Sequence, residues 1–174
     1  QNVINFCPHR DLGQPQSRER IFMFAANKDY FSWNPFRQLE FEALPVDIKT
    51  IIAWDQAVDD AYYLAEDNPY AMRLNKLFDS HEEYSVIQWR RDKARPQRYG
   101  KVPTLTANMG VGGHNVPFIR TSQGIRKLTV EEVANLQGFR RNFFYCCDNR
   151  NKSYRMIGNA VHVDVATVVA SNIK

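Results

Sequence analysis

The sequence predicts a mixed α/β fold, and three observations carry the prediction. Short β-type runs open the chain and recur in its middle, well-capped helical segments lie between and after them, and the C-terminal segment keeps one apolar stripe at helical spacing. With 174 residues, 44% hydrophobic and 24% charged, the chain is long enough to bury the core of one domain or of two small lobes, which excludes a disordered chain. The longest apolar runs, "IFMFAA" and "VATVVA", fall far short of the roughly 20 residues that span a bilayer, and no signal peptide is expected. A cytoplasmic protein without membrane contact is expected.

Asn2 to Cys7, "NVINFC", and Arg20 to Ala26, "RIFMFAA", read as strands of a hairpin joined by a Pro- and Gly-bearing connection. Because the chain begins with Gln1 and strand character starts at once, a missing N-terminal portion is expected. Residues 27–45, rich in aromatics, Pro and Asn without a period, suit an irregular link. "VDIKTIIAWDQAVDDAYYLAED" (46–67) predicts a helix capped by Asp47, with Ile48, Ile51 and Ile52 at helical spacing. "NPYAMRLNKLFDSHEEY" (68–84) predicts a second, with Pro69 near its start and Met72, Leu74 and Leu77 along it. "SVIQW", "PTLTA" and "VPFI" follow as short strands, separated by a basic stretch and by the glycine-rich "NMGVGGHN". "LTVEEVANLQGF" carries the strongest helix signal: Thr129 as N-cap, Glu132 closing a capping box, and Gly138 at the stop. In the final segment Val161, Val165, Val168, Val169 and Asn172 keep helical spacing, and their stripe requires a partner surface.

Lys and Arg number 23 against 19 acidic residues, for a net charge of +4 and a pI near 9.0. Part of the excess is clustered: "QWRRDKARPQRYGK" (88–101) has six basic residues and one acidic among fourteen, interleaved with Trp89 and Tyr99. Such a run is either a solvated loop or a phosphate-contacting surface. Cys7, Cys146 and Cys147 are odd in number, two of them adjacent, and suggest no disulfide framework. His9, His81, His114 and His162 lack metal-ligand spacing, so no metal is expected.

Three segments in order, "GQPQSRERIFMF" (13–24), "RKLTVEEVANLQGF" (126–139) and "YRMIGNAV" (154–161), resemble the eighth, ninth and tenth conserved motifs of the DNA (cytosine-5) methyltransferases. Between them "QWRRDKARPQRYGKVPTLTANMGVGGHNVPFI" resembles a bacterial target-recognition region, while residues 27–84 contribute little to the likeness. The resemblance implies the C-terminal portion of an S-adenosylmethionine-dependent, Rossmann-like α/β domain, its last strands and closing helix, with an inserted small α+β target-recognition lobe. The implied boundaries are 1–30 for the end of the catalytic domain, 31–152 for the recognition lobe and 153–174 for the returning helix. A bacterial or phage source is implied with it.

That family's chemistry sets physical demands. A cysteine thiolate adds to C6 of a cytosine flipped out of the duplex, and C5 then takes a methyl group from S-adenosylmethionine. Charge builds on O2, where a fixed cation is most useful, and the resemblance assigns that donor to Arg20. Gln16 and Arg18 receive supporting roles, and period-2 alternation places all three on one face if the strand extends back that far. Thr104 and Thr106 resemble residues that meet DNA phosphate, and Gly110, Gly112 and Gly113 resemble the loop that approaches the bases. Trp89, Arg90, Arg91, Arg95 and Arg98 are candidates for DNA contact at base edges. Asn159 and Ala160 are implied to touch the methionine end of the cofactor, or, read from the residues, Gly158 and Asn159 are the turn and cap of a helix start. Arg126 and the 129–138 helix are implied to organise the recognition region.

Family members commonly have Pro after "QGF" and a Pro pair after "GNAV", whereas this chain has Arg140 and His162-Val163. It contains no Pro-Cys, Glu-Asn-Val or Gly-rich first motif. The nucleophile, its acidic partner and most of the cofactor pocket are therefore expected on an N-terminal portion or separate subunit, and this chain alone is expected to be inactive. A Gln1 start favours the fragment over the subunit. The alternative is a catalytically silent DNA-binding module derived from the family, and a transfer-RNA methyltransferase of the same family is disfavoured by "TLTANMGVGGHN".

Overall fold

Val3–Phe6 (β1) pairs antiparallel with Arg20–Met23 (β2), Val3 opposite Met23 and Phe6 opposite Arg20, in the computed structural model, which describes residues 3–30, 41–110, 114–140, 143 and 149–173. The link between the strands is not a plain turn. Pro8 at the first helical position opens a short helix, Pro8–Leu12 (α1), the Asp11 carboxylate accepts the Cys7 amide at 2.7 Å, and Gly13 closes the turn at φ 71°. Cys7 is a buried free thiol.

The helix expected over 46–67 does not form. Asp47 caps Lys49 as expected, but only a 3₁₀ turn, Ile48–Thr50, follows, and a second, Asp60–Tyr62, is capped by Asp59. The reason is tertiary. Ala53 gives its N–H to Glu132 at 2.8 Å and its C=O to Arg126 at 2.9 Å, so neither group can join an i to i−4 ladder. Pro69–Asp79 (α2) forms where expected, with Asn68 capping Tyr70 and with Ala71, Leu74 and Phe78 buried.

Ile87–Arg90 (β3), Lys93–Pro96 (β4), Val116–Thr121 (β5) and Gly124–Lys127 (β6) make an antiparallel sheet in the order β4-β3-β5-β6. The basic stretch is therefore largely a hairpin rather than a loop. β6 has no counterpart in the sequence reading, and "PTLTA" is not a strand: its neighbour Val102 makes only an isolated parallel bridge to Gln16. Alternation divides the sheet's side chains between two cores. Ile87, Trp89, Val116, Phe118 and Ile125 pack with Leu74 and Phe78 of α2 on one side, while Val86 and Ile119 join Ile48, Ile52, Leu105, Met109 and Leu128 on the other. Each fully buried Leu or Ile in these clusters contributes about 2 kcal/mol.

Val130–Leu136 (α3) carries the expected capping box, with Thr129 and Glu132 bonding reciprocally, and Gly138 follows at φ 84°. Arg150–Asn159 (α4) and Val163–Ser171 (α5) replace the single C-terminal segment expected. Gly158 and Asn159 thus end a helix rather than start one, and Val161 lies exposed in the turn. α5 buries Val165 and Val169 against Phe6 and Leu12, which covers one face of the β1–β2 ribbon. No helix among the described residues is long and apolar enough to cross a membrane.

Candidate active-site and DNA-facing surfaces

The strand carrying Arg20 begins at Arg20, which separates the three polar residues expected to share a face. Gln16 and Arg18 precede β2 and are 0% and 6% exposed, whereas Arg20 is exposed at the strand's first position, its Nη1 donating to the Glu19 carbonyl at 2.6 Å. Gln16 donates to the Leu136 carbonyl at 3.0 Å and to the side-chain oxygen of Gln137. Arg18 donates to Leu105 O at 2.8 Å through Nη1, and to Gly158 O at 3.1 Å and Ala160 O at 2.9 Å through Nη2. Burial, with a smaller contribution from the Arg20 charge, lowers the Arg18 guanidinium to about 10.

These bonds bring together segments remote in sequence. The Pro15 carbonyl accepts the Val102 amide and the Val102 carbonyl accepts the Ser17 amide, both at 2.8 Å, and Thr104 Oγ1 donates to Ser17 O at 2.7 Å. Val102, the Thr104 hydroxyl and the Leu105 carbonyl are thereby held by the polar stretch before β2, with one isolated bridge in place of a strand. Thr106 Oγ1 donates to Asn108 at 2.7 Å, so both candidate phosphate-binding hydroxyls have their protons engaged within the chain. Gly110 answers to packing: a Cβ there would lie 2.4 Å from the Tyr154 ring. Gly112 and Gly113 lie outside the described residues. Asn159 is exposed at the end of α4, and the Ala160 carbonyl is already shared by Arg18 and Gln137. The Asn159 amide lies at the α4 C-terminus, where partial negative charge collects, and the Arg18 guanidinium meets that end through the Gly158 and Ala160 carbonyls.

The hairpin separates its own candidates. Arg90, Lys93 and Arg95 are exposed and share a face by register, since Arg90 opposes Lys93 and Gln88 opposes Arg95. That face is the one whose inner end, at Ile119, packs with Leu105 and Met109, so the three cations lie on the side of the sheet that carries the 104–110 segment. Arg91 occupies the turn at φ 57°, a conformation uncommon for a side chain with a Cβ, and its carbonyl accepts the Trp89 indole N–H at 2.8 Å. Trp89 is 4% exposed and meets Tyr70 edge-on at 4.6 Å, which makes it a core residue rather than a base reader. Arg98 is exposed beyond the hairpin.

Arg126 is fully buried, its guanidinium forked onto Glu132 at 2.7 and 2.8 Å. Residues 2–174 match the C-5 cytosine-specific DNA methylase family. The chain belongs to that family. Among the chain's relatives, the Type II methyltransferase M.Bsp6I of Bacillus sp. is 38% identical over 94% of this chain and 52% of its own length. M.NgoPII of Neisseria gonorrhoeae is 29% identical over 99% and 54%, and M.SsoII of Shigella sonnei 26% over 97% and 43%. The chain spans about half the length of the curated relatives it matches. Its mixed α/β fold is similar to that of the Entamoeba histolytica methyltransferase EhMeth (TM-score 0.65, 16% identity, 98% of this chain, 52% of the other) and of a Spodoptera frugiperda DNMT2 mutant (0.64, 16%, 99%, 58%). Sequence reading missed Gln137, whose buried contacts join segments remote in sequence, although its place in "QGF" after a capped helix marked it.

Proposed function

We propose that this methylase chain supplies the DNA-recognition and partial active-site portion of a DNA (cytosine-5) methyltransferase, and that methyl transfer requires the complementary portion bearing the cysteine nucleophile. The observation that carries this reading is the reach of Arg18. One guanidinium bonds carbonyls 87, 140 and 142 residues away, joining the segment before Arg20, the start of the 104–110 segment and the turn at Ala160. Residues assigned to ring-charge stabilisation, DNA contact and cofactor contact thereby share one neighbourhood.

In this reading the 1–30 segment and residues 153–174, which hold most of α4 and all of α5, belong to the catalytic domain, and residues 31–152 form the recognition lobe, with Tyr154 and Ile157 of α4 packed into the lobe's core. The shared core of β1, β2 and α5 supports that division. Arg90, Lys93 and Arg95 face the duplex alongside the 104–110 segment, with Arg91 and Arg98 at the margins. Arg20, anchored at the first residue of β2 with its guanidinium outside the core, donates to O2 of the flipped cytosine as thiolate attack loads charge there. Gln16 and Arg18 act by holding backbone rather than by touching the base. S-adenosylmethionine supplies the methyl group when bound, and Asn159 and Ala160 would line its methionine end.

The test is complementation. Mixed with a portion carrying the Pro-Cys and Glu-Asn-Val segments, the chain restores C5 methylation of DNA, and Arg20→Ala lowers turnover about a hundredfold or more while duplex binding is retained. C5 methylation by the isolated chain would contradict the reading, and unchanged turnover in the Arg20→Ala enzyme would favour a silent DNA-binding module.

A further inference from the structure

We propose that Gln137 is a positioning residue of this methylase: with Arg18 it holds the Gly158–Ala160 turn against the 104–110 segment, so that the cofactor edge and the DNA-facing segment keep one fixed separation. The proposal rests on the functional reading above for the identity of those two edges, and on geometry for the clamp itself.

Gln137 is fully buried, and while its amide closes α3 on Val133 and Ala134, its other polar groups reach out of that helix. Its Nε2 donates to Ala160 O at 2.7 Å, its Oε1 accepts from Gln16, and its backbone carbonyl accepts the Val163 amide at 3.0 Å. Arg18 shares the Ala160 carbonyl and reaches Leu105 O with its other nitrogen. The Ala160 carbonyl is therefore fixed from two sides, by a residue at the end of α3 and by one that also grips the recognition segment. The two edges touch directly as well. A Cβ on Gly158 would come within 2.3 Å of the Ala107 amide nitrogen and 2.4 Å of the Thr106 carbonyl carbon, so α4 and the segment meet backbone to backbone. An apolar side chain of the same volume would fill the space at Gln137, but it would bond neither Gln16 nor Ala160, and the turn would lose one of its two holds.

The experiment uses the full 174-residue chain and two variants. Gln137→Met keeps the volume and removes both side-chain bonds, whereas Gln137→Glu keeps the acceptor for Gln16 and removes the donor to Ala160. Hydrogen exchange is followed at the hydrogen-bonded amides of Ser17, Met109 and Ala160, with Ile87 and Phe118 in the sheet as internal references. Affinity for a fluorescein-labelled mixed-sequence duplex is measured alongside. Both variants should speed exchange at the three amides relative to the references and weaken duplex binding about tenfold. Leu74→Ala, in the α2 core that also holds Ile87 and Phe118, should lower the melting temperature and speed exchange at those two references rather than at Ser17, Met109 and Ala160.

Unchanged relative protection in both Gln137 variants overturns the proposal. So does a loss in Gln137→Met that Gln137→Glu restores, because that would place the role in the Gln16 contact. If the Gln137 variants do not fold, Arg18→Lys, which keeps the charge but not the fork, is read by the same measurements against the same outcomes. Failure of the unsubstituted chain to bind duplex would remove the DNA reading, while the exchange arm would still decide the clamp.

Discussion

His162 occupies one of the positions where family members commonly carry a Pro pair, and it is 2% exposed. A Cβ on Gly138 would lie 3.2 Å from its ring, so the α3 terminus closes over it. Burial, with the nearby Arg18 charge adding to it, lowers the imidazole from 6.5 to about 4. The sign follows from where the proton goes. Between these values the unfolded chain takes up a proton that the folded chain refuses, so stability falls as pH drops below 6.5 and the fall saturates below about 4. The full effect is about 3 kcal/mol. Asp164, 4.0 Å from the ring, has its carboxyl raised by burial and works the other way, since the folded chain takes up that proton first and recovers some stability at the acid end. Urea midpoints measured across this range should drop with pH in the natural chain and flatten in His162→Leu. An unaltered slope in the variant would remove His162 as the cause.

At the scale of the element, α3 is held twice, by its own capping box and by the Arg126–Glu132 pair, whose partners are 0% and 4% exposed. Glu132 performs both tasks. Its Oε2 accepts the Thr129 amide at 2.7 Å and Arg126 Nη1, and its Oε1 accepts Arg126 Nη2 and the Ala53 amide. Glu132→Gln leaves a guanidinium in the core without its counter-charge, and breaking a buried pair in this way costs about 3–5 kcal/mol. Urea unfolding should show that loss, whereas a loss of a few tenths would mean that the guanidinium finds water in the variant. The same residues explain what the sequence made legible. The α3 box is local, with cap and partner three residues apart, and it could be read directly. The 46–67 segment has helical spacing too, but Ala53's backbone is captured by Arg126 and Glu132 from 73 and 79 residues away. "PTLTA" alternates like a strand, yet its partners are Arg18 and Ser17. Membership of the family was legible because the three segments that carry the resemblance each hold their own residues. The inward turn of Gln16, Arg18 and Trp89 was not, because burial is decided by elements elsewhere in the chain.

Across the whole molecule, the two cores on either side of the four-stranded sheet are closed, but the β1–β2 ribbon is not. α5 covers the face that carries Phe6 and Phe22, while on the other Val3, Ile21 and Met23 are 49%, 62% and 78% exposed. Among the described residues the ribbon has two strands, an arrangement that is marginal in water unless packed, and an apolar sheet face left to solvent marks an interaction surface. In the proposed function the complementary catalytic portion covers this face, which gives a separable prediction. Ile21→Lys with Met23→Lys replaces side chains that bury little in the isolated chain, so its unfolding free energy should move by no more than about 0.5 kcal/mol. The same pair of charges would be desolvated without partners once the complementary portion docks, so association measured by sedimentation, and C5 methylation by the mixture, should both be lost. Retained methylation with the doubly substituted chain would place the complementary portion on another surface. A large loss of stability in the isolated chain would show instead that the outer face is already covered within it.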